Sequence, residues 1–334
     1  MKKKYKDIRK FLLFAKTIFK PFKLIANELL KQINYFLIWR TGKAIGDQVL
    51  ITGFAKSLNK KYSCKVITIS NYSSLLSLSP WITKSISWDQ IIFFKLIYYF
   101  LKLIEGERII EYNFPFKRYG YISQLEAYKS GFFQELEEPP IWHAHVADRF
   151  KKEIFKNFSG GLTITNNIKA KLITKNIYDK YPNFKVGIIN PVGKDSYAKS
   201  KLYGFENYQI IVNDTKSKIK WLQVGLKKDK VLEGIHLDLR GNTLEFLVNI
   251  IAFSDLVLAD EGLLNHIAGS FPYINSYVVF SKFSPPSYYS YKNTLTIGKP
   301  RNFMKLEYWE DHHITKRIKL DPNKLAKTIL KREF

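Results

Sequence analysis

The sequence predicts an α/β protein with two doubly wound parallel sheets. Three observations carry that expectation. From Lys185 onward, short apolar runs alternate with helix-like stretches, the pattern of parallel strands joined by crossover helices. Residues 35–70 hold a separate strand–helix–strand unit. The chain's 334 residues exceed the size at which one core stops growing, so two domains are expected.

The first element is a basic arm over residues 1–33. Its apolar residues fall at 8, 11, 15, 18, 22, 25 and 29, steps of three and four that make one helix face. Pro21 should kink or split that helix. Nine Lys or Arg residues stand in the first 23 positions against one acid, Asp7. That composition fits a helix lying in an anionic membrane interface; a helix packed on its own domain with a solvated basic face is the alternative. Lysines at 16, 20 and 23 interrupt the apolar region and no small-residue cleavage site follows, so a signal peptide is not expected.

Residues 34–184 are expected to form the first domain with its connecting region. Tyr35 to Trp39 reads as a buried strand, Asp47 to Asn59 as a helix and Lys65 to Ser70 as a second strand. Further helices are expected near 91–104 and 121–136, and residues 143–184 read as a connection with helical pieces broken at Gly160-Gly161. The second domain, 185–334, opens with KVGIINPVG, a strand of the composition buried on both faces. Helix 205–214, strand Ile219 to Val224, helix 243–253, strand Leu256 to Leu258, helix 262–270, strand Ser276 to Phe280 and a C-terminal helix follow. Ligands of such sheets bind outside the carboxyl ends of the strands.

Composition narrows the partner. With 54 Lys+Arg against 29 Asp+Glu the net charge is +25, which calls for an anionic partner such as nucleic acid, anionic lipid or a phosphorylated substrate. The basic residues concentrate at the terminus without a groove-entering or base-stacking module, so nucleic acid is not expected. Cys64 is the single cysteine, which excludes a disulfide framework and a thiolate metal cluster and fits a reducing cytoplasm. No segment reaches the roughly 18–20 uninterrupted apolar residues that span a bilayer.

Four stretches carry the most specific signal: GDQVLITGFAKSLNKKY (46–62), NPVGKDSYAKSKLYGFENYQIIV (190–212), WLQVG (221–225) and LDLRGNTLEFLVNIIAFSDLVLADEGLLNHIAG (237–269). In their order and spacing they resemble glycosyltransferase family 9, the heptosyltransferase-like enzymes of bacterial surface polysaccharide assembly. The family's Lys-x-Trp-Pro-x-Glu-x-Phe element is matched by Lys201 to Tyr208, with Tyr203 for tryptophan and Gly204 for proline. Its acidic-Gly-x-x-x-His helix start is matched by Glu261, Gly262 and His266. The better-known members read Asp-Ser/Thr-Gly there. The resemblance implies a GT-B architecture, two Rossmann-like domains facing a central cleft, with the donor nucleotide sugar on the second and the acceptor on the first. It implies inverting transfer without a metal or other cofactor, and many members use ADP-heptose as donor.

Each candidate residue has a chemical reason and a plainer alternative. A diphosphate leaving group needs cations and backbone donors where charge builds, which Lys201 can supply; a solvated lysine is the alternative, and Lys194 and Lys199 are weaker candidates in the same loop. Gly262 lets a phosphate approach a helix start. Glu261 would repel a phosphate and is better assigned to a hydroxyl of the ribose or sugar. His266 either reaches the phosphates or packs in the core. Inverting transfer needs a base on the acceptor hydroxyl, and Asp47, in the loop after the first strand, suits that role or a helix cap. Two clusters, His143-Ala-His145-x-x-Asp148 and Glu310 to His313, hold ligand types without a completing partner set, so no metal site is expected.

The expected function is transfer of a sugar from a nucleotide donor to a lipid-linked or oligosaccharide acceptor in lipopolysaccharide, lipooligosaccharide or capsule biosynthesis. The expected place is the inner face of the bacterial cytoplasmic membrane, against an anionic surface. The other reading is a non-catalytic basic membrane-peripheral or nucleic-acid-binding protein of the same fold.

Overall fold

The structure is a computed structural model that describes residues 35–40, 45–63, 65–87, 109–111, 159–192, 202–280, 291, 294–297 and 320–334. The arm, the helices expected near 91–104 and 121–136, and both histidine clusters lie outside the described residues. The chain divides into two compact units, Met1–Asn113 and Phe114–Phe334.

The first unit carries a parallel sheet. Strands β1 (Tyr35–Arg40), β2 (Lys65–Ser70), β3 (Lys84–Ser87) and β4 (Ile109–Glu111) stand in the order β3-β2-β1-β4. All three pairings are parallel, with Tyr35 opposite Lys65 and Leu37 opposite Ile109. Helix α1 (Ile45–Tyr62) connects β1 to β2, and the single turn α2 (Ser73–Leu76) follows β2. Val66, Ile67 and Ile69 are buried together with Val49, Ile51 and Ala55 of α1. The helix starts two residues earlier than the sequence suggested, so Asp47 is third in the helix.

The second unit carries a six-stranded parallel sheet. Its strands are β5 (Lys185–Asn190), β6 (Ile219–Gln223), β7 (Leu237–Asp238), β8 (Leu256–Asp260), β9 (Asn275–Val279) and β10 (Thr294–Ile297), ordered β10-β9-β8-β5-β6-β7. The two central strands, β5 and β8, are buried along their length, as a strand covered on both faces must be. Helices α4 (Phe205–Thr215) and α7 (Pro322–Glu333) pack together and share a core with Ile189, Trp221, Leu256, Leu258 and Tyr277. Val257 and Ala259 alternate with that set on β8 and are also buried, so they face the other side of the sheet. Helices α5 (Leu244–Ala252) and α6 (Leu263–Ala268) flank β8 in sequence, and α5 packs on α3 (Ile168–Lys180).

Residues 159–180 were grouped by sequence with the first domain, yet they pack on the second sheet. The Thr165 amide donates to Asn249 Oδ1 at 2.9 Å and the Gly160 amide to the Gly269 carbonyl at 2.9 Å. Ala170, Thr174 and Ile177 form the buried face of α3, so this helix depends on the second sheet for its burial.

Candidate functional site

Each sheet changes direction at one place. In the second unit the chain leaves β5 toward β6 and leaves β8 toward β9, although β5 and β8 are neighbours. The carboxyl ends of those two strands therefore bound a switch-point crevice, where ligands of open α/β sheets bind. Asn190 ends β5 and pairs with Ala259, one residue before the end of β8. The Val192 amide donates to Asn190 Oδ1 at 3.2 Å, turning the chain out of the strand.

Asp260 at the end of β8 and Glu261 just after it are two consecutive carboxylates that take different partners. Asp260 accepts the Tyr203 amide at 3.2 Å on Oδ1 and 3.4 Å on Oδ2, and the Tyr208 hydroxyl at 2.8 Å on Oδ1. Tyr208 is fully buried. Burial, with the Asp260 charge beside it, pushes the Tyr208 phenol well above its ordinary value, so it stays protonated and donates. Tyr203 is buried too, its ring edge-on to Tyr208 at 5.5 Å and its hydroxyl donating to the Leu320 carbonyl at 2.8 Å.

Glu261 turns the other way. Its Oε1 lies 3.3 Å from His266 Nε2, and the two side chains are 3% and 2% exposed. His266 Nδ1 is 2.8 Å from the Tyr291 hydroxyl. A neutral imidazole satisfies both partners with the proton on Nε2: Nε2–H donates to the carboxylate and Nδ1 accepts from the phenol. Burial, and then the Glu261 charge, raise the Tyr291 phenol well above its ordinary value, which keeps it a donor. Gly269 makes room for this tyrosine, since a Cβ there would stand 2.4 Å from the ring.

The structure thus brings Glu261, Gly262 and His266 together, with His266 inside the fold rather than facing out. Gly262 lies between the pair and faces open space, with nothing within 4 Å of the position a Cβ would take. Helix α6 after it has six residues, shorter than the expected 262–270, because Gly262 and Gly269 are its caps and the chain turns from Gly269. Lys201, Lys194 and Lys199 lie outside the described residues. Asp47 sits in the first turn of α1, beyond the carboxyl end of β1, which neighbours β4 at the first sheet's own switch point. Its neighbour Gln48 is buried, and the Ser70 hydroxyl at the end of β2 donates to Gln48 Oε1 at 2.7 Å. This ties the first turn of α1 to the sheet.

Sequence reasoning missed Asp260, Tyr291 and a brace beyond β6. There the Arg240 guanidinium forks onto Asp238, Nε to Oδ1 at 2.7 Å and Nη2 to Oδ2 at 2.8 Å, while Nη1 donates to the Asp229 carbonyl. Asp229 Oδ2 accepts the Leu226 amide at 2.6 Å, so the loop leaving β6 is held from both sides. Among the described residues no three metal-ligating side chains come together.

No protein-family profile matches the sequence, and no curated protein matches it. Solved structures do. ADP-heptose lipopolysaccharide heptosyltransferase II of E. coli matches with a TM-score of 0.61 at 13% identity, over 90% of this chain and 100% of that one. The chain shares the fold of family 9 glycosyltransferases. A family 9 glycosyltransferase from Veillonella parvula DSM 2008 matches with a TM-score of 0.60 at 13% identity, over 89% of this chain and 96% of its own. The iron-containing heptosyltransferase TibC of enterotoxigenic E. coli, solved with ADP-D-β-D-heptose, matches with a TM-score of 0.50 at 10% identity, over 90% and 76% of the two chains.

Proposed function

We propose that this protein is an inverting glycosyltransferase that moves a sugar, with a heptose the leading candidate, from a nucleotide-diphosphate donor to a lipid-linked or surface-glycan acceptor. The product belongs to lipopolysaccharide, lipooligosaccharide or capsule. The observation that carries the reading is the switch point of the second unit, where β8 ends at Asp260 and runs into Glu261-Gly262 beside the end of β5. Likeness to heptosyltransferases, one of them solved with ADP-heptose, supports a nucleotide-sugar donor there.

In this reading Lys201 supplies positive charge to the departing diphosphate. Gly262 lets that group come close, and the buried Glu261–His266 pair holds the turn that carries it. Asp47 takes the proton of the acceptor hydroxyl as the sugar–oxygen bond forms. No step is assigned to a metal. The basic arm attaches the protein to anionic lipid at the inner face of the cytoplasmic membrane, where a lipid-linked acceptor is presented.

The test is a thermal-shift screen against nucleoside diphosphates and their sugars, with Lys201→Ala as the paired variant. A ligand that binds only the folded state stabilises it by about 2.7 kcal/mol at a hundred times its Kd. One nucleotide series should raise the melting temperature of the wild type and do so far less in Lys201→Ala. No response to any member overturns the reading.

A further inference from the structure

We propose that Asp260 is a positioning residue for the donor site, acting through Tyr203 and Tyr208; this rests on the glycosyltransferase reading above. Asp260 is the last residue of β8, at the switch point, and its carboxylate reaches sideways to the segment that opens α4. Two donors converge on it: the Tyr203 N–H, shared between both carboxylate oxygens, and the Tyr208 hydroxyl. Both tyrosine rings are fully buried and the Tyr203 hydroxyl is itself fixed to Leu320. The segment from 203 to 208 is therefore clamped between β8 and the residues that lead into α7.

The residues inside the clamp explain why it is needed. Gly204 has φ +106°, which disfavours any residue with a Cβ. In the element that this stretch resembles, proline stands at that position and phenylalanine stands where Tyr208 is. A proline ring sets φ near −65° and stiffens the chain by itself. Glycine does neither. Here the stiffness comes from Asp260, and the extra hydroxyl of Tyr208 is the donor that a phenylalanine would lack. In sequence the donor lysine of this reading, Lys201, stands two residues before the Tyr203 amide that Asp260 holds.

The test compares full-length wild type, Tyr208→Phe, Asp260→Asn and a control, Tyr277→Phe. The control removes a phenol–carboxylate bond of the same kind, Tyr277 to Glu333 at 2.6 Å, from the same buried core but from a side chain whose hydroxyl does not hold this segment. Two readouts are taken: backbone amide exchange over residues 202–208, and the Kd for ADP, UDP or GDP by titration calorimetry well below the melting temperature. Tyr208→Phe should speed exchange over 202–208 and weaken the nucleotide about tenfold, the scale of one hydrogen bond to a charged acceptor. Asp260→Asn, which keeps an uncharged acceptor, should speed exchange over 202–208 and weaken the nucleotide in the same direction. Tyr277→Phe should lower the melting temperature and leave Kd unchanged. Unchanged exchange in both Tyr208→Phe and Asp260→Asn overturns the clamp. Faster exchange with unchanged Kd overturns the positioning role and leaves the glycosyltransferase reading standing. A wild type that binds none of the three nucleotides overturns both.

Discussion

Glu261 and His266 meet inside the second unit, Oε1 to Nε2 at 3.3 Å, with Tyr291 closing the chain on the far side of the imidazole. Four residues separate them in sequence, and the turn through Gly262 is what lets the carboxylate fold back onto the first turns of α6. Such a pair is expensive to break from one side, because the group left behind keeps its desolvation cost. His266→Ala should therefore lower stability by roughly 1–3 kcal/mol. Tyr291→Phe, which keeps the ring against Gly269, should cost less. Chemical denaturation of the two variants checks the order; equal stabilities for wild type and His266→Ala would show that Glu261 finds another partner.

Gly204 gives a second prediction. At φ +106° an alanine should cost about 1–2 kcal/mol, the penalty of a left-handed backbone for a residue with a Cβ. Proline, the residue of the resembling element, should be worse, because its ring cannot leave φ near −65°. The measurement is the denaturation midpoint of Gly204→Ala and Gly204→Pro. A Gly204→Pro variant as stable as wild type would mean that the approach to α4 takes the family's course.

Much of this fold was legible because its central strands are short and apolar. KVGIIN and LVLAD are buried along nearly their whole length, so composition alone marks them. The edge strands were not legible. β7 is two exposed residues, Leu237 and Asp238, and β3 reads KSIS with one buried side chain. Such segments become strands only because a neighbour already offers its free edge, a tertiary cause that leaves little local trace. The site divides in the same way. Glu261, Gly262 and His266 share one turn and could be read as a motif, whereas Tyr208 and Tyr291 reach Asp260 and His266 across 52 and 25 residues. Nothing local in YGFENY announces where its phenols will point.

The Arg240–Asp238 fork sets an acid limit. The hydrogen bonds from Arg240 hold the Asp238 carboxyl down to about 2, from an ordinary 3.8. A carboxyl depressed on folding stabilises the native state above its unfolded value and stops doing so as pH falls through the folded one. The contribution is thus complete above about pH 4 and fades toward pH 2. Melting temperatures of wild type and Asp238→Asn should differ at neutral pH and converge over that range. A constant difference down to pH 2 would show that the fork does not hold in solution.

The arm makes a prediction that depends on charge. Deleting residues 1–23 removes nine cations and one acid, a net change of eight charges. If the arm docks on anionic lipid, the truncated protein should stay in solution when mixed with phosphatidylglycerol-containing vesicles that sediment the intact chain. Raising salt should release the intact chain, because the Debye length shrinks from about 10 Å at 0.1 M to about 3 Å at 1 M. Sedimentation indifferent to both changes would remove the arm from the membrane. The fold should survive the deletion, since β1 begins at Tyr35.

Asp47 is where geometry and chemistry can be separated most cleanly. It is third in α1, not the cap, so it belongs to the first turn, where a negative charge is worth about 0.3–1 kcal/mol against the helix dipole. Asp47→Asn keeps the volume and loses only that electrostatic share, so the melting temperature should fall slightly. It cannot accept the acceptor's proton. General-base catalysis is worth roughly 10² to 10⁴ in rate, so sugar transfer should drop by about that factor while nucleotide-sugar affinity, assigned to the second unit, stays near wild type. Gln48 supplies the contrast. Gln48→Leu removes the acceptor of the Ser70 hydroxyl, leaves the carboxylate in the chain, and should reduce transfer by loosening the turn while keeping a pH–rate profile of wild-type shape. Transfer at the wild-type rate in Asp47→Asn would reduce Asp47 to a first-turn acid, and a collapse of melting temperature instead would make its role structural and send the search for the base to another residue.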